Sequence, residues 1–258
     1  MTSTSATSSL ASSSREPLKA RTMGFILANL LFLVQGLVGY GGVLLGVLPQ
    51  TPTDDIAFLL VAVAYHGPFF AFLDANGERR TREEKFQLFV NWWIIVAASA
   101  TIFWELPWYY LEDNILRRGI PMDRFHEGLE WLWIFWGYGI ADNRFLNGDG
   151  TVLSVEFLSI HTSLMLIVTY FMMKKGNIWG YWLAGLGMMG VAYGTVIYVF
   201  SEWYEGWPLI SDRPYDFWVK FILTQTPYIF YGGLAAVFCV YLAGKQAVRD
   251  YQAQTGDA

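Results

Sequence analysis

The sequence predicts an all-α membrane protein, a polytopic bundle of about six transmembrane helices. Two observations lead to this prediction. Of the 258 residues, 54% are hydrophobic and only 15% are charged, whereas an ordinary soluble domain has about 25% charged residues. Apolar runs long enough to cross a bilayer also recur along the chain. The net charge of -5 gives no indication of nucleic-acid binding, so we expect no nucleic-acid partner.

The candidate spans follow one another with short polar connections, except for a long one at 112–150. They cover residues 24–48, 56–73, 86–111, 152–173, 178–200 and 215–243. The first is rich in glycine, which suits close helix packing in a membrane. Residues 1–20 are rich in Ser, Thr and Ala, which predicts a disordered tail rather than a transit peptide. The predicted parts are this tail, an extra N-terminal helix with its loop (21–55), a bundle (56–245) and a cytosolic tail (246–258).

Basic residues are distributed unevenly between the two ends of these spans. Eleven lie before the first span or after the second, fourth and sixth, whereas five lie in the opposite loops. Lys and Arg collect in cytosolic loops of membrane proteins. The sequence therefore predicts an integral membrane protein with both termini in the cytosol.

A carboxyl group inside the third span is the strongest functional signal. Glu105 follows about twenty residues without a formal charge, and hydrocarbon cannot solvate an acid there. Glu156 in the fourth span falls at a similar depth, and neither span contains Lys or Arg to neutralise its acid. Glu156 also has a structural explanation, since a carboxylate near a helix start suits the helix dipole. We expect the two glutamates to face one polar cavity.

Small polar residues lie on the same helix faces as these acids. Thr101 is one turn before Glu105, and Ser159 is about one turn after Glu156. The sixth span has a polar patch at Thr224, Gln225, Thr226 and Tyr228. If only the hydroxyl and amide groups were present, hydrogen bonds between helices would explain them. Two acids among aromatic rings would also suit proton transfer to and from an alkene through a carbocation, or binding of a lipophilic amine.

The remaining polar residues give weaker signals. Asp142 and Arg144 are either part of the site or a loop ion pair. The histidines His66, His126 and His161 lack metal-ligand spacing, and the single cysteine, Cys239, cannot form an internal disulfide. We find no zinc motif, phosphate loop or dinucleotide fingerprint, so we expect no metal and no cofactor.

Five stretches in order carry a resemblance to a known family. They are 104–113, 138–145, Glu156 fourteen residues after Asp142 with Ser159 three residues later, 193–202, and 217–221 followed by Gln225 and Tyr228. Over residues 86–242 the chain thereby resembles the EXPERA family, within it the emopamil-binding protein branch of sterol isomerases. The resemblance implies a five-helix sterol-binding core in the endoplasmic reticulum membrane. Its enzymes move a sterol double bond from the 8 to the 7 position by protonation and deprotonation.

The resemblance also implies roles for individual residues. The two catalytic glutamates of the family fall on Glu105 and Glu156. The family's histidine falls on Thr101, whose hydroxyl cannot accept a proton as a base near neutral pH, so we expect weak or absent activity on the usual 8-ene sterol. The expected substrate-binding residues are Thr101, Trp104, Trp108, Tyr138, Asp142, Ser159, Gln225 and Tyr228.

Three functions fit these observations. The expected one is an isomerase that shifts a double bond in a sterol or related polycyclic terpenoid. The alternatives are a non-enzymatic sterol- or lipid-binding protein of the same family, and a small membrane terpene cyclase in which Glu105 would protonate an epoxide. The expected partners are a lipophilic polycyclic substrate, lipophilic cationic amines and the bilayer, and a homodimer stays open.

Overall fold

A computed structural model describes residues 20–73, 80–112 and 133–256. Within these ranges the chain is helical and contains no β-strand. The α-helices are α1 (Ala20–Leu33), α2 (Gly41–Leu44), α3 (Gln50–Ala64), α4 (Arg82–Ala100), α5 (Leu106–Glu112), α6 (Trp133–Ala141), α7 (Arg144–Asn147), α8 (Gly150–Lys174), α9 (Ile178–Glu205) and α10 (Thr224–Thr255). Three π-helical segments, π1 (Val34–Tyr40), π2 (Thr101–Glu105) and π3 (Asp216–Leu223), and a 3-10 helix (Gly67–Phe72) join them.

Five helical stretches in the described ranges are long and apolar enough to cross a membrane. They are Gln50–Phe72, Arg82–Tyr110, Gly150–Lys174, Ile178–Glu205 and Asp216–Thr255. The polytopic all-α class is therefore confirmed. The run predicted as the first span is also helical, through α1, π1 and α2. Whether it crosses the membrane, and hence the count of six, stays a prediction.

Local sequence signals set the ends of the long helices. Thr81 and Glu84 form a capping box at the start of α4, where Thr81 N donates to Glu84 Oε2 at 2.8 Å and Glu84 N donates to Thr81 Oγ1 at 3.2 Å. Asp149 caps α8 by accepting from the backbone N–H of Thr151 at 2.8 Å. Gly206 ends α9 in the left-handed conformation that glycine adopts without strain.

The basic ends of the helices meet at one end of the bundle. Arg249 near the end of α10 forms an ion pair with Glu83 at the start of α4. Gly176, between α8 and α9, lies beside the side chain of Gln246. At the opposite end, Asn143 N donates to Leu209 O at 2.9 Å and thereby ties the 141–144 region to the loop after α9. The alternation of ends agrees with the expected topology, and the cytosolic assignment remains a prediction.

Helix α9 is central and packs against both α8 and α10. Gly232 of α10 permits the close approach of α9, because a Cβ atom at position 232 would lie 3.2 Å from the backbone oxygen of Met188 in α9. Near one end of the bundle, Phe89 and Trp93 of α4 and Tyr231 of α10 pack with their rings edge to face. These contacts hold α4, α9 and α10 as a fixed scaffold for the adjacent cavity.

Some segment boundaries predicted from the sequence differ from the helix boundaries in the structure. The long connection at 112–150 contains a helix in its described part, α6, which is largely buried in the bundle. Helix α10 continues to Thr255, so the expected boundary at 245 falls inside a helix. Residues 1–19 and 113–132, which contain the expected tail and His126, lie outside the described residues.

Candidate active site

One large cavity lies inside the bundle. It has a volume of about 1130 Å³, slightly above the usual range of roughly 300–1,000 Å³ for small-molecule sites. Its wall combines residues from α1, π1, α3, α4, π2, α6, α8, α9 and α10, most of them apolar or aromatic. Among the described residues that line it there is no Lys, Arg or His. The cavity is therefore suited to a lipophilic molecule.

A local widening of the helix in the span Arg82–Tyr110 positions Glu105, the first of the two acids. The helix is π-helical over Thr101–Glu105, and Pro107 follows in the next turn. Proline has no N–H to donate to the carbonyl of Phe103, so the regular α-helical pattern is interrupted there. Such π-helical turns occur often at functional sites. Glu105, at the end of this turn, is buried and lines the cavity.

Two hydroxyl groups hold one oxygen of Glu105. Thr101 Oγ1 donates to Glu105 Oε2 at 2.6 Å from the preceding turn. Ser159 Oγ on α8 donates to the same oxygen at 2.7 Å. Both donors stabilise a carboxylate and restrict its rotation. The shared face of Thr101 and Glu105 predicted from spacing is confirmed, and the contact across to α8 adds a second donor.

Glu156 has a different environment on the same cavity. Its side chain is buried and lines the wall from α8, and Oε2 has no hydrogen-bond partner among the described residues. The helix-dipole explanation fits it poorly, because Asp149 already caps α8 and Glu156 lies beyond the first turn. The two acids therefore share one cavity but differ in their hydrogen bonds.

Aromatic rings and phenol groups surround the acids. Trp104 lies edge to face with Phe58 and with Tyr138, with ring centroids 6.2 and 5.7 Å apart. The hydroxyl groups of Tyr65 and Tyr228 lie 3.2 Å apart on another part of the wall. These rings can present their negative faces to a cationic ligand or intermediate.

The structure brings most of the predicted site residues to the cavity. Those that line it are Trp104, Glu105, Tyr138, Glu156, Ser159, Gln225 and Tyr228. Thr101 is not in the wall; it lies behind Glu105 and holds it. The expectation that Thr101 contacts substrate directly is corrected, because its hydroxyl is committed to the acid and its side chain is 1% exposed.

Trp108 and Asp142 also lie outside the cavity wall, which corrects their expected contact with substrate. Trp108 is fully buried, and its indole N–H donates to Phe145 O at 3.2 Å. Asp142 is fully buried and accepts from Arg144 Nε at 2.9 Å and Nη2 at 2.7 Å. The ion-pair interpretation of this Asp–Arg pair is thus confirmed, although the pair is buried instead of lying in an open loop.

Arg144 is held at the centre of a buried network. Its Nε lies 3.4 Å from Glu202 Oε1, and its guanidinium stacks 4.2 Å from the centre of the Tyr198 ring. Burial opposes its charge, but the hydrogen bonds with Asp142 and the nearby acids raise the pKa of Arg144 above its usual value. The Arg144 guanidinium therefore stays charged beside Asp142 and Glu202.

A second buried ionic cluster, which was not predicted from the sequence, surrounds Lys220. Lys220 Nζ lies 2.8 Å from Asp54 Oδ2, 3.0 Å from Asp55 Oδ1 and 3.2 Å from Asp216 Oδ1. Arg213 adds a contact of 2.5 Å to Asp55. The available signal was Lys220 itself, a basic residue inside an apolar span, which requires an acidic partner. This cluster clamps the start of α3 to π3.

The two described histidines are outside the cavity wall. His66 Nδ1 lies 2.5 Å from the hydroxyl of Tyr231, and His161 Nδ1 lies 2.8 Å from Phe157 O on the exposed side of α8. Both contacts join neighbouring parts of the protein rather than facing the cavity. Neither imidazole takes the place of the family histidine beside Glu105.

Comparison with known proteins adds no assignment. No family model, curated protein or solved structure matches this chain. The resemblance to the EXPERA family accordingly rests on the sequence motifs. The cavity and its two acids are therefore the basis for inferring a function.

Proposed function

We propose that this protein is a membrane-embedded isomerase that shifts a double bond in a sterol or related polycyclic terpenoid. One observation carries the proposal: Glu105 and Glu156 line the same apolar cavity, and no basic residue occurs among its described lining residues. Acids that only stabilise a fold are usually paired with cations or hydrogen-bonded throughout. Two acids that line an apolar cavity without a neighbouring cation are suited to transferring protons to and from a ligand.

The hydrogen bonds suggest different roles for the two acids. Glu156 Oε2, which has no donor partner, carries a proton without losing a hydrogen bond, so it is the proposed proton donor to the alkene. The electron pair of the double bond forms the new C–H bond and leaves a carbocation. Glu105, whose Oε2 accepts two hydrogen bonds, is stabilised as a carboxylate and removes a proton from a neighbouring carbon. The C–H electrons then form the shifted double bond.

Both acids return to their starting states through solvent. After turnover the proton is on Glu105, which releases it to solvent, and Glu156 is protonated again from solvent. Trp104, Tyr65 and Tyr228 would stabilise the cation between the two steps through their ring faces. Net charge, atoms and oxidation state are unchanged, so no cofactor is required.

Cavity size and lining support a polycyclic lipid as the substrate. About 1130 Å³ with mostly apolar walls accommodates a rigid hydrocarbon skeleton, and transmembrane helices surround it. The EXPERA resemblance adds the sterol class, the endoplasmic reticulum membrane and cytosolic termini to the proposal. These features remain part of the proposal.

Solvent-hydrogen exchange tests the reaction directly. Purified protein in lipid nanodiscs is incubated with an 8-ene sterol in D₂O. The products are separated, and their deuterium content is determined by mass spectrometry. We expect little or no product from the usual 8-ene sterol and, from a related substrate, a double-bond isomer that carries one deuterium, because the donated proton comes from an exchangeable carboxyl group. Related 8-ene and 7-ene triterpenoids form the second substrate panel, since Thr101 replaces the family histidine.

Each other outcome contradicts either the isomerase or its proposed proton source. Recovery of unlabelled, unchanged substrate from the whole panel, together with tight lipid binding, supports the non-enzymatic binding protein. A newly closed ring from an epoxide substrate supports the terpene cyclase. An isomer without deuterium excludes protonation from an exchangeable acid.

A further inference from the structure

Part of the cavity wall is exposed on the outside of the bundle. Lining the cavity does not by itself expose a side chain, since Tyr138 and Val191 line it and are only 4% and 5% exposed. Five large apolar side chains that line it are instead between 42% and 79% exposed. We call them the rim: Leu33 of α1, Leu37 of π1, Ile95 of α4, Phe103 of π2 and Leu158 of α8. The rim therefore marks where the cavity meets the exterior.

The N-terminal side of the rim is attached to the bundle away from the opening. Helix α1 packs against α3 and the 3-10 helix, and π1 also packs against α3. Gly24 permits the contact with the 3-10 helix, because a Cβ atom at position 24 would collide with the Phe70 ring. At its other end, Tyr40 of π1 stacks on Trp133 with ring centroids 5.9 Å apart. This segment is thus held at both ends, and its middle borders the opening.

Buried side chains back the cavity wall toward both ends of the bundle in the described ranges. Toward the basic end, Tyr228 of the wall contacts the fully buried Trp93, with ring centroids 5.5 Å apart. Toward the opposite end, Tyr198 of the wall contacts the buried Asp142 and Arg144. A bulky molecule would have to displace these groups to reach the cavity from either end, whereas at the rim the wall is already open.

The rim lies at the level of the apolar spans. Ile95 and Phe103 belong to Arg82–Tyr110, and Leu158 belongs to Gly150–Lys174, which are both long and apolar enough to cross a membrane. Between the exposed Leu33 and Leu37, Gln35 lines the cavity and is only 8% exposed. The first turn of π1 thus has one side in the cavity and another on the outside. In a bilayer the outer side would contact lipid chains.

We propose that the rim is a lateral portal through which a lipophilic ligand enters the cavity directly from the bilayer. A molecule dissolved in hydrocarbon would pass from one apolar environment to another without exposing its apolar surface to water. One side of the portal, α1 and π1, lies outside residues 86–242, which carry the EXPERA resemblance. The inference goes beyond the proposed function and rests on it for the cavity as the ligand site. It applies equally to an isomerase and to a lipid-binding protein.

Labelling of a single cysteine inside the cavity tests the portal without requiring catalysis. Cys239 is the only cysteine in the sequence and lies outside the cavity wall, so Cys239→Ala gives a background without thiols. Val191→Cys then places one thiol in the wall on α9. In nanodiscs, pyrene maleimide dissolved in the lipid should label this thiol. A negatively charged, water-soluble methanethiosulfonate should react roughly 10-fold more slowly, because an apolar cavity does not solvate its charge.

Variants at the rim separate lateral entry from other routes. Leu37→Trp should slow pyrene-maleimide labelling by roughly 10-fold, because the larger ring overpacks the passage. Leu186→Trp on α9 is the matched control, since Leu37 and Leu186 are 67% and 68% exposed but only Leu37 of the two lines the cavity. Phe103→Ala should speed labelling by roughly 2- to 10-fold, because it leaves space at the rim.

The outcomes distinguish the portal from the isomerase. Equal labelling rates in Leu37→Trp and Leu186→Trp overturn the portal, as does faster reaction of the water-soluble reagent. No labelling of a folded protein whose thiol reacts after unfolding also overturns it. A protein that is labelled through the rim but shifts no double bond in D₂O keeps the portal and refutes the isomerase. Folding of each variant is checked by its thermal unfolding midpoint in the same nanodiscs.

Discussion

Buried acids occur in two contrasting settings in this molecule. At Lys220 and at Arg144, carboxylates contact a cation within 2.7 to 3.4 Å and are shielded from the cavity. Glu105 and Glu156 instead line the cavity, and no cation lies beside them among the described lining residues. The first setting resembles a structural clamp and the second a site that exchanges protons or binds a cation.

The contrast shows why burial alone does not identify a functional acid. Removing one member of a buried ion pair leaves an uncompensated charge, so such pairs are needed for folding. An acid already without a cationic partner loses no ion pair when it is neutralised. Neutralising substitutions should therefore separate the two settings, with stability affected at one and activity or binding at the other.

The largest expected effect is on catalysis. Glu105→Gln and Glu156→Gln each remove a proton-transfer group and should lower the isomerisation rate by roughly 100- to 10,000-fold, with the unfolding midpoint nearly unchanged. Product formation from the best sterol of the panel is the measurement. Glu205→Gln, at the exposed end of α9, is the matched control and should retain full activity. Wild-type rates in both cavity variants would assign the acids to packing.

The ionic cluster should respond in the opposite way. Lys220→Met leaves Asp54, Asp55 and Asp216 without their shared cation and should cost about 3–5 kcal/mol of stability. Thermal unfolding in nanodiscs and the yield of monodisperse protein report this loss. Lys174→Met, at an exposed helix end, should change stability by less than about 0.5 kcal/mol. A Lys220→Met protein as stable as the wild type would remove the distinction between the two settings.

Binding of lipophilic cationic amines sharpens the comparison further. A tertiary ammonium resembles a carbocation in charge, and it should bind between Glu105, Glu156 and the aromatic wall. Each Glu→Gln change should weaken its affinity by roughly 10- to 100-fold, as expected for a hydrogen bond to a charged group. The double variant should lose less than the sum, because the two acids share one ligand. Displacement of a radiolabelled amine measures these affinities, and unchanged values in both single variants would contradict a cation site.

The smallest expected effects concern the hydroxyl groups that hold Glu105. Thr101→Val and Ser159→Ala each remove one donor to Glu105 Oε2 and should lower activity by roughly 2- to 10-fold. Thr169→Val is the matched control, since its hydroxyl donates to Leu166 O within α8. A loss at Thr169 equal to that at Thr101 would show a general packing effect.

Periodicity along single helices determined a large part of the candidate site. Glu105 and Glu156 stood out because hydrocarbon does not solvate a charge, and the four-residue spacing placed Thr101 on the face of Glu105. The five described spans could be predicted as apolar runs because hydrocarbon does not solvate charged side chains. These inferences depend only on neighbours in sequence, which one amino-acid sequence contains.

Contacts between helices required the tertiary structure. Spacing placed Ser159 near Glu156, but the packing of α8 against π2 brought its hydroxyl to Glu105. Trp108 and Asp142 belonged to the same motifs as cavity residues, yet the packing of the bundle placed both of them in buried contacts outside the cavity wall. Two of the three acids that contact Lys220, Asp54 and Asp55, come more than 160 residues earlier in the chain. Sequence periodicity specifies which residues share a face of one helix, whereas the rotation and depth of each helix against the others depend on packing across the whole bundle.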